Sequence, residues 1–177
     1  MVTGPSGVGK GTLIKALLER NPGLELAVSA TTRSPREGER NGIDYHFLSE
    51  DDFDRRVAAG EFVEDAVYAG NRYGTLRSEL ARPARGIVLE IDLQGARQVR
   101  ETLPDAVLIF IEPPSFEALE ERLRRRAADT AEQIERRLDA ARAELAAASE
   151  FDHRIVNDDL QAALRELADL AATMCPP

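Results

Sequence analysis

The nonapeptide GPSGVGKGT, Gly4 to Thr12, constrains this chain more than any other stretch. Gly4, Gly9 and Lys10 fill the pattern G-x-x-x-x-G-K, with Gly7 between them, and the stretch is read as a phosphate-binding loop. Glycine tolerates positive φ and carries no Cβ, so successive N–H groups can turn inward as an anion nest. The following LIKALLER has apolar residues at Leu13, Ala16 and Leu17, a helical spacing whose N-terminus adds partial positive charge beneath the phosphates. Lys10 and Lys15 are the only lysines among 23 basic residues, so the lysine closing the loop stands out as a placed mobile charge. A Gly-rich turn capping a helix is the bland alternative, and it leaves the full match unexplained. The next position is Gly11, where the pattern has a Ser or Thr that touches Mg²⁺. The nearest hydroxyl is Thr12, so the metal is expected to be held through water and nucleotide oxygens.

The rest of the composition narrows the class. A chain of 177 residues, 43% hydrophobic and 31% charged, is sized for one globular domain with a buried core. Its formal net charge of -9 argues against a general nucleic-acid binder and requires arginines to be placed locally if the ligand is an anion. One cysteine, Cys175, excludes a disulfide framework and a thiolate metal site. His46 and His153 are far apart in sequence, and packed or solvated roles suit them better than metal ligation; no residue is assigned as a metal ligand. There is no apolar run of membrane-spanning length and no signal-type segment before the loop, so a cytoplasmic enzyme is expected.

Along the chain, strands and helices alternate. Residues 24 to 30 read as extended. Ser49 caps a helix with an acidic first turn that ends at Gly60, and EFVEDAVYAGNRYG reads as two strands turning at Gly70-Asn71. GIVLEIDL, residues 86 to 93, and AVLIFIEPP, residues 106 to 114, read as buried strands. Residues 115 to about 149 are helical and Arg-rich with an interruption near AADT. IVNDD is a short strand with a turn, and Leu160 to Ala172 is an amphipathic helix. The alternation predicts an α/β domain with a mostly parallel sheet flanked by helices, and with ligands at the C-terminal ends of the strands.

In SATTRSPREGERNGIDYHF, Ser29 to Phe47, Arg33 and Arg36 stand three residues apart with Tyr45 beyond. Guanidinium forks match phosphate oxygens, so these residues suit a clamp for a second phosphate; a solvated Arg/Glu loop is the competing reading. Together with Gly4–Thr12, the GNRYG turn, LEIDLQGA and IVNDDL, this segment resembles the guanylate kinase family, in order along nearly the whole chain.

That resemblance implies a three-layer P-loop NTPase fold with a core of residues 1–30, 84–120 and 138–177. A small GMP-binding subdomain would occupy about 31–83 and an Arg-rich helical lid about 121–137. The implied activity is transfer of the γ-phosphoryl group of ATP to GMP with Mg²⁺, and the implied partners are ATP and GMP, with no nucleic acid, membrane or obligatory protein partner. By the resemblance, Gly4, Pro5, Ser6, Gly7, Val8, Gly9, Lys10, Gly11 and Thr12 would hold the ATP phosphates, and Asn157 would lie near the adenine. Arg33, Arg36, Tyr45 and Tyr73 would bind the GMP phosphate, while Ser29, Glu64, Thr75 and Asp92 would read guanine. Arg122, Arg126 and Arg137 would come from the lid and its adjoining helix; the bland reading of such Arg-rich helices is a solvated, ion-paired face.

The chain departs from the family pattern at Gly11 and at RRRAADT, Arg124 to Thr130, where the family has an Arg-Gly-Thr-type turn. It also departs at MVT, where the resemblance implies a longer hydrophobic strand beginning upstream of Met1. Two other readings stay open on the residues: a noncatalytic binding module of guanylate-kinase type, and a P-loop kinase of another small phosphate ester such as a ribose bisphosphate. Both fit less well, because Lys10 and its glycines are present and the base-reading set is complete.

Overall fold

The computed structural model describes residues 1–68, 70–125 and 130–175. Two ladders of parallel strands form the main sheet. β1 (Val2–Thr3), β8 (Ile109–Glu112) and β9 (His153–Val156) make one; β2 (Leu24–Leu26) and β7 (Gly86–Val88) make the other. A parallel bridge between Val2 and Glu90 joins them, giving the order β2-β7-β1-β8-β9. Although β1 is only two residues long, it is pinned on both sides: Val2 N donates to Leu89 O at 2.8 Å, and Val2 and Thr3 pair with Ile109 and Phe110.

Parallel strands must be linked by crossovers, and helices supply them. α1 (Lys10–Arg20) links β1 to β2, α4 (Leu93–Thr102) links β7 to β8, and α5 (Phe116–Arg125) with α6 (Ala131–Ala146) leads to β9. α7 (Leu160–Met174) closes the chain against α1. Each helix start has a local cause. Asp92 caps α4 by accepting from Gly95 N at 2.9 Å, Asp159 caps α7, and Thr130 with Gln133 forms a capping box on α6. Alternation along β8 sends side chains to both faces. Ile109 and Ile111 join Val8, Leu13, Leu119, Leu123 and Leu164 on one side, and Leu108 and Phe110 join Ile91, Ala96, Val99 and Phe151 on the other. Both faces are therefore buried under helices, the three-layer arrangement expected of such a sheet.

A second sheet carries the rest. β3 (Ser29–Thr31), β4 (His46–Phe47), β5 (Phe62–Tyr68) and β6 (Asn71–Leu76) run in the order β4-β3-β6-β5, with β6 antiparallel to both neighbours. α2 (Glu50–Ala58), capped by Ser49, lays Phe53 onto Phe62 with ring centroids 4.4 Å apart, over a small core with Ala30 and Leu76. A one-turn helix, α3 (Arg77–Leu80), follows β6.

Three sequence expectations need correction. Residues 24 to 30 are two strands in different sheets, because Glu79 Oε2 takes Val28 N at 2.9 Å and turns the chain at that point. The strand expected over 86–93 pairs regularly only to Val88, and Asp92 starts α4, a helix not read from the sequence. The strand expected over 106–114 is Ile109–Glu112. The hairpin at Gly70, where φ is +80°, and the α2 cap are as expected; of the interruption expected near AADT, residues 127–129 lie outside the described residues and Thr130 caps α6. Among the described residues, no helix is long and apolar enough to cross a membrane.

Candidate active site

The glycine-rich loop leaves the end of β1 and enters α1. Gly4, Gly7 and Gly9 adopt φ of +147°, +88° and +98°, which turns the backbone as an anion nest requires. Close packing enforces the same choice: a Cβ on Gly4 would strike Ile111 O, and one on Gly9 would lie 2.6 Å from Asn157 Nδ2. Asn157, buried at the end of β9, donates to Val8 O at 2.7 Å and fixes the loop from behind. Its own carbonyl accepts from Arg122 Nη2 at 3.0 Å.

Lys10 Nζ folds back to donate to Gly4 O and reaches Pro5 O at 3.4 Å. Burial pushes its pKa down, and Glu90, Glu144 and Asp92 oppose that shift. Thr12, the nearest hydroxyl after the lysine, is exposed at the start of α1.

Beside the loop opens a cavity of about 500 Å³, within the ordinary range for a small-molecule site. Its wall joins Lys10 to Ser29, Arg33, Arg36, Tyr45, Glu64, Tyr73 and Asp92, residues drawn from both sheets. Strand register explains the grouping, since Thr75 on β6 lies opposite Ser29 on β3 and Glu64 on β5. Thr75 Oγ1 donates to Glu64 Oε1 at 2.7 Å, and only 5% of Glu64 is exposed. Desolvation raises the Glu64 pKa to about 7, against the bond from Thr75 and with help from the Asp92 charge. Gly95 in α4 is required here, because a Cβ would stand 2.5 Å from Glu64 Oε2. Gln98 of α4 clasps the β5 backbone at Asp65 through two hydrogen bonds of 3.0 and 2.6 Å, holding the two sheets together at this wall.

At the other end, Arg33 Nη2 pairs with Glu39 Oε1 at 2.9 Å, while its guanidinium carbon lies 5.2 Å from the Tyr45 ring centre. Glu39 Oε2 accepts from Arg36 N at 2.7 Å, so one carboxylate holds the arginine pair ready, and those bonds lower its pKa. Tyr45 and Tyr73 meet edge-on with centroids 6.1 Å apart.

Lys10 and most of the expected acceptor residues thus share one cavity; Thr75 sits just behind its wall. Arg122 and Arg137 are half-buried on α5 and α6, away from the cavity wall, and Arg126 lies outside the described residues. Sequence reasoning did not select Glu39, Glu90 or Glu144, which also line the cavity. Glu39 stood inside the SATTR segment between the two arginines and the tyrosine, a usable signal; nothing local marks Glu144.

A wall that is buried, acceptor-rich and backed by Thr75 at one end, and lined by arginine and tyrosine at the other, suits a planar donor-bearing group joined to a phosphate. The adjoining lysine loop suits a second chain of phosphates.

Known proteins match the same arrangement. The guanylate kinase family pattern covers residues 1–173. A guanylate kinase of Nostoc sp. (strain PCC 7120) is 54% identical over 170 residues, covering 94% of this chain and 85% of that protein. One from Frankia casuarinae is 51% identical over 173 residues, covering 96% and 94%. The crystal structure of guanylate kinase from Anaplasma phagocytophilum superposes with a TM-score of 0.77 at 31% identity, covering all of this chain and 86% of that one. With nearly its whole length matched in this way, the chain belongs to the guanylate kinase family.

Proposed function

We propose that this protein transfers the γ-phosphoryl group of ATP to GMP, giving ADP and GDP. The observation that carries the reading is the single cavity joining Lys10 to the Glu64–Thr75 pocket and the Arg33–Tyr45 end. Guanine offers adjacent donors at N1 and N2, and ionised Glu64 is acceptor-only; Asp92, Ser29 and Thr75 complete that recognition. Arg33, Arg36, Tyr45 and Tyr73 hold the GMP phosphate, whose oxygen attacks. No protein nucleophile is required, because phosphoryl transfer depends on alignment and charge neutralisation. Gly4 to Thr12 cradle the ATP phosphates, with Asn157 bracing the loop. Lys10 leaves its carbonyl partners for the transferring phosphate, and Arg122, Arg126 and Arg137 supply charge from the lid side.

In this reading residues 31–83 form the GMP-binding subdomain and 121–137 the lid. Among the described residues no cluster of three acidic, His or Cys side chains is placed to hold a metal. If Mg²⁺ accompanies ATP, Thr12 and Glu90 would be the residues to hold it through water, and it would supply neutralisation of the phosphate charge.

Incubating the protein with γ-labelled ATP, Mg²⁺ and GMP, and separating the products, tests this. Label is expected in GDP; label appearing only in inorganic phosphate, or equally with AMP, UMP or no acceptor, refutes it.

A further inference from the structure

Glu79 is buried on α3, with 7% of it exposed, and it stands outside the cavity wall, where the reaction makes no direct use of it. A buried carboxylate is costly unless its oxygens are satisfied, and here both are. Oε2 accepts from Val28 N and from Arg82 Nη1, each at 2.9 Å, and Oε1 pairs with His46 Nε2 at 2.8 Å. Arg82 Nη1 also donates to Leu26 O at 3.0 Å, and its Nη2 pairs with Glu25.

These partners lie in different sheets. The chain passes between the sheets twice, at 27–28 from β2 to β3 and at 77–85 from β6 through α3 to β7. Glu79 stands in the second passage and grips the first at Val28. Arg82 ties the same carboxylate to β2 of the main sheet, and His46 ties it to β4 of the second. The acceptor half of the cavity hangs on these strands. Ser29 follows Val28 and opens β3, while Tyr45 comes just before His46, and both residues line the cavity. One carboxylate behind the wall therefore sets the base end through Ser29 and the phosphate end through Tyr45. Resting on the function proposed above, we infer that Glu79 is a positioning residue that fixes the acceptor sheet against the main sheet, so that bound GMP lines up with the phosphate loop. The Gln98 clasp, and Thr102 Oγ1 donating to Val63 O at 3.1 Å, still join the two sheets when Glu79 is replaced.

The test compares the wild type, Glu79→Ala, His46→Leu and the double variant, at a temperature where melting curves show each one folded. kcat, the KM for GMP and for ATP, and GMP affinity by titration calorimetry are measured. Glu79→Ala should raise the KM and Kd for GMP by about ten- to a hundredfold, the cost of misplaced binding groups, and leave the KM for ATP within about twofold. His46→Leu removes one tie of the three and should raise the KM for GMP by about three- to tenfold. The double variant should be no worse than Glu79→Ala, because His46 acts through the carboxylate. A fall in kcat with an unmoved KM for GMP, or equal rises in both KM values, would mean that Glu79 serves the fold alone and would overturn the inference. Fully multiplied single effects in the double variant would overturn it as well. If Glu79→Ala does not fold, His46→Leu decides, since its side chain is partly exposed and an unchanged KM for GMP there refutes the tie. A wild type that neither binds nor phosphorylates GMP sinks the functional reading itself. Use of GMP with its KM unmoved in the variants sinks only the role of Glu79.

Discussion

Replacing Glu64 with glutamine should move stability and activity in opposite directions. In the free protein the carboxyl is buried behind Thr75, and its pKa is raised from an ordinary 4.5 to about 7. A carboxyl whose folded value lies above its unfolded one stabilises fully below about pH 4.5, and that contribution disappears as pH rises through 7. At about 1.4 kcal/mol per unit, the ionised form costs the native state about 3.5 kcal/mol by pH 8.5. Glutamine keeps an oxygen that can accept from Thr75 Oγ1 and cannot ionise, so Glu64→Gln should match the wild type near pH 4.5 and exceed it above pH 8. For a chain of this size the difference corresponds to about 7 to 14 °C in Tm. Glu144, also raised to about 7, titrates in both proteins and drops out of the comparison. The same change sets an amide donor against guanine N1–H, so kcat/KM for GMP should fall by about two orders of magnitude while the KM for ATP holds. Melting curves every half pH unit from 4.5 to 9, with kinetics on the same samples, check both halves. Coincident melting curves for the two proteins across that range would refute the buried, ionising carboxylate.

Lys10→Ala removes the cation that the loop holds ready, and turnover should drop by about two to three orders of magnitude in a protein whose melting curve stays cooperative; near-normal turnover would contradict the loop's role. Gly9→Ala forces a Cβ at φ +98° against Asn157 Nδ2, and should cost about 2 to 4 kcal/mol in chemical denaturation while raising the KM for ATP. Gly95→Ala places a methyl 2.5 Å from Glu64 Oε2 within a helix that otherwise welcomes alanine, so the KM for GMP should rise about tenfold or more with little change in Tm; an unchanged KM would show that Glu64 does not face the base.

The phosphate loop was readable because its chemistry is contiguous: nine residues supply the nest, the charge and the helix start. The arginine–tyrosine segment from Ser29 to Phe47 was suggestive for the same reason, although Glu39, which orders its guanidinium, becomes evident only from the 2.9 Å contact with Arg33. Where the sequence misled, the deciding partner was remote in one case and local in the other. The break at Ala27–Val28 depends on Glu79, fifty-one residues later than Val28, and the early end of β7 depends on Asp92 satisfying the first turn of α4. α4 itself was obscured by Gly95, a poor helix residue that the packing of Glu64 requires. The two residues of β1 are paired on both sides, Val2 with Glu90 just past β7, and Val2 and Thr3 with Ile109 and Phe110 of β8, a fact that no reading of Met-Val-Thr contains. Glu144 was invisible for a similar reason, since an acid on an Arg- and Glu-rich helix looks solvated until the fold seals its oxygen beside Lys10.

In the proposed function, the buried Glu64 carboxylate beside the phosphate loop selects guanine mononucleotides. The most direct measurement is the ratio of kcat/KM for GMP to that for AMP, with saturating ATP and Mg²⁺. Adenine presents a lone pair at N1 where guanine presents a proton, leaving Glu64 and Asp92 unpaired, so the ratio should reach about 10⁴ or more. Comparable use of the two nucleotides would contradict the account.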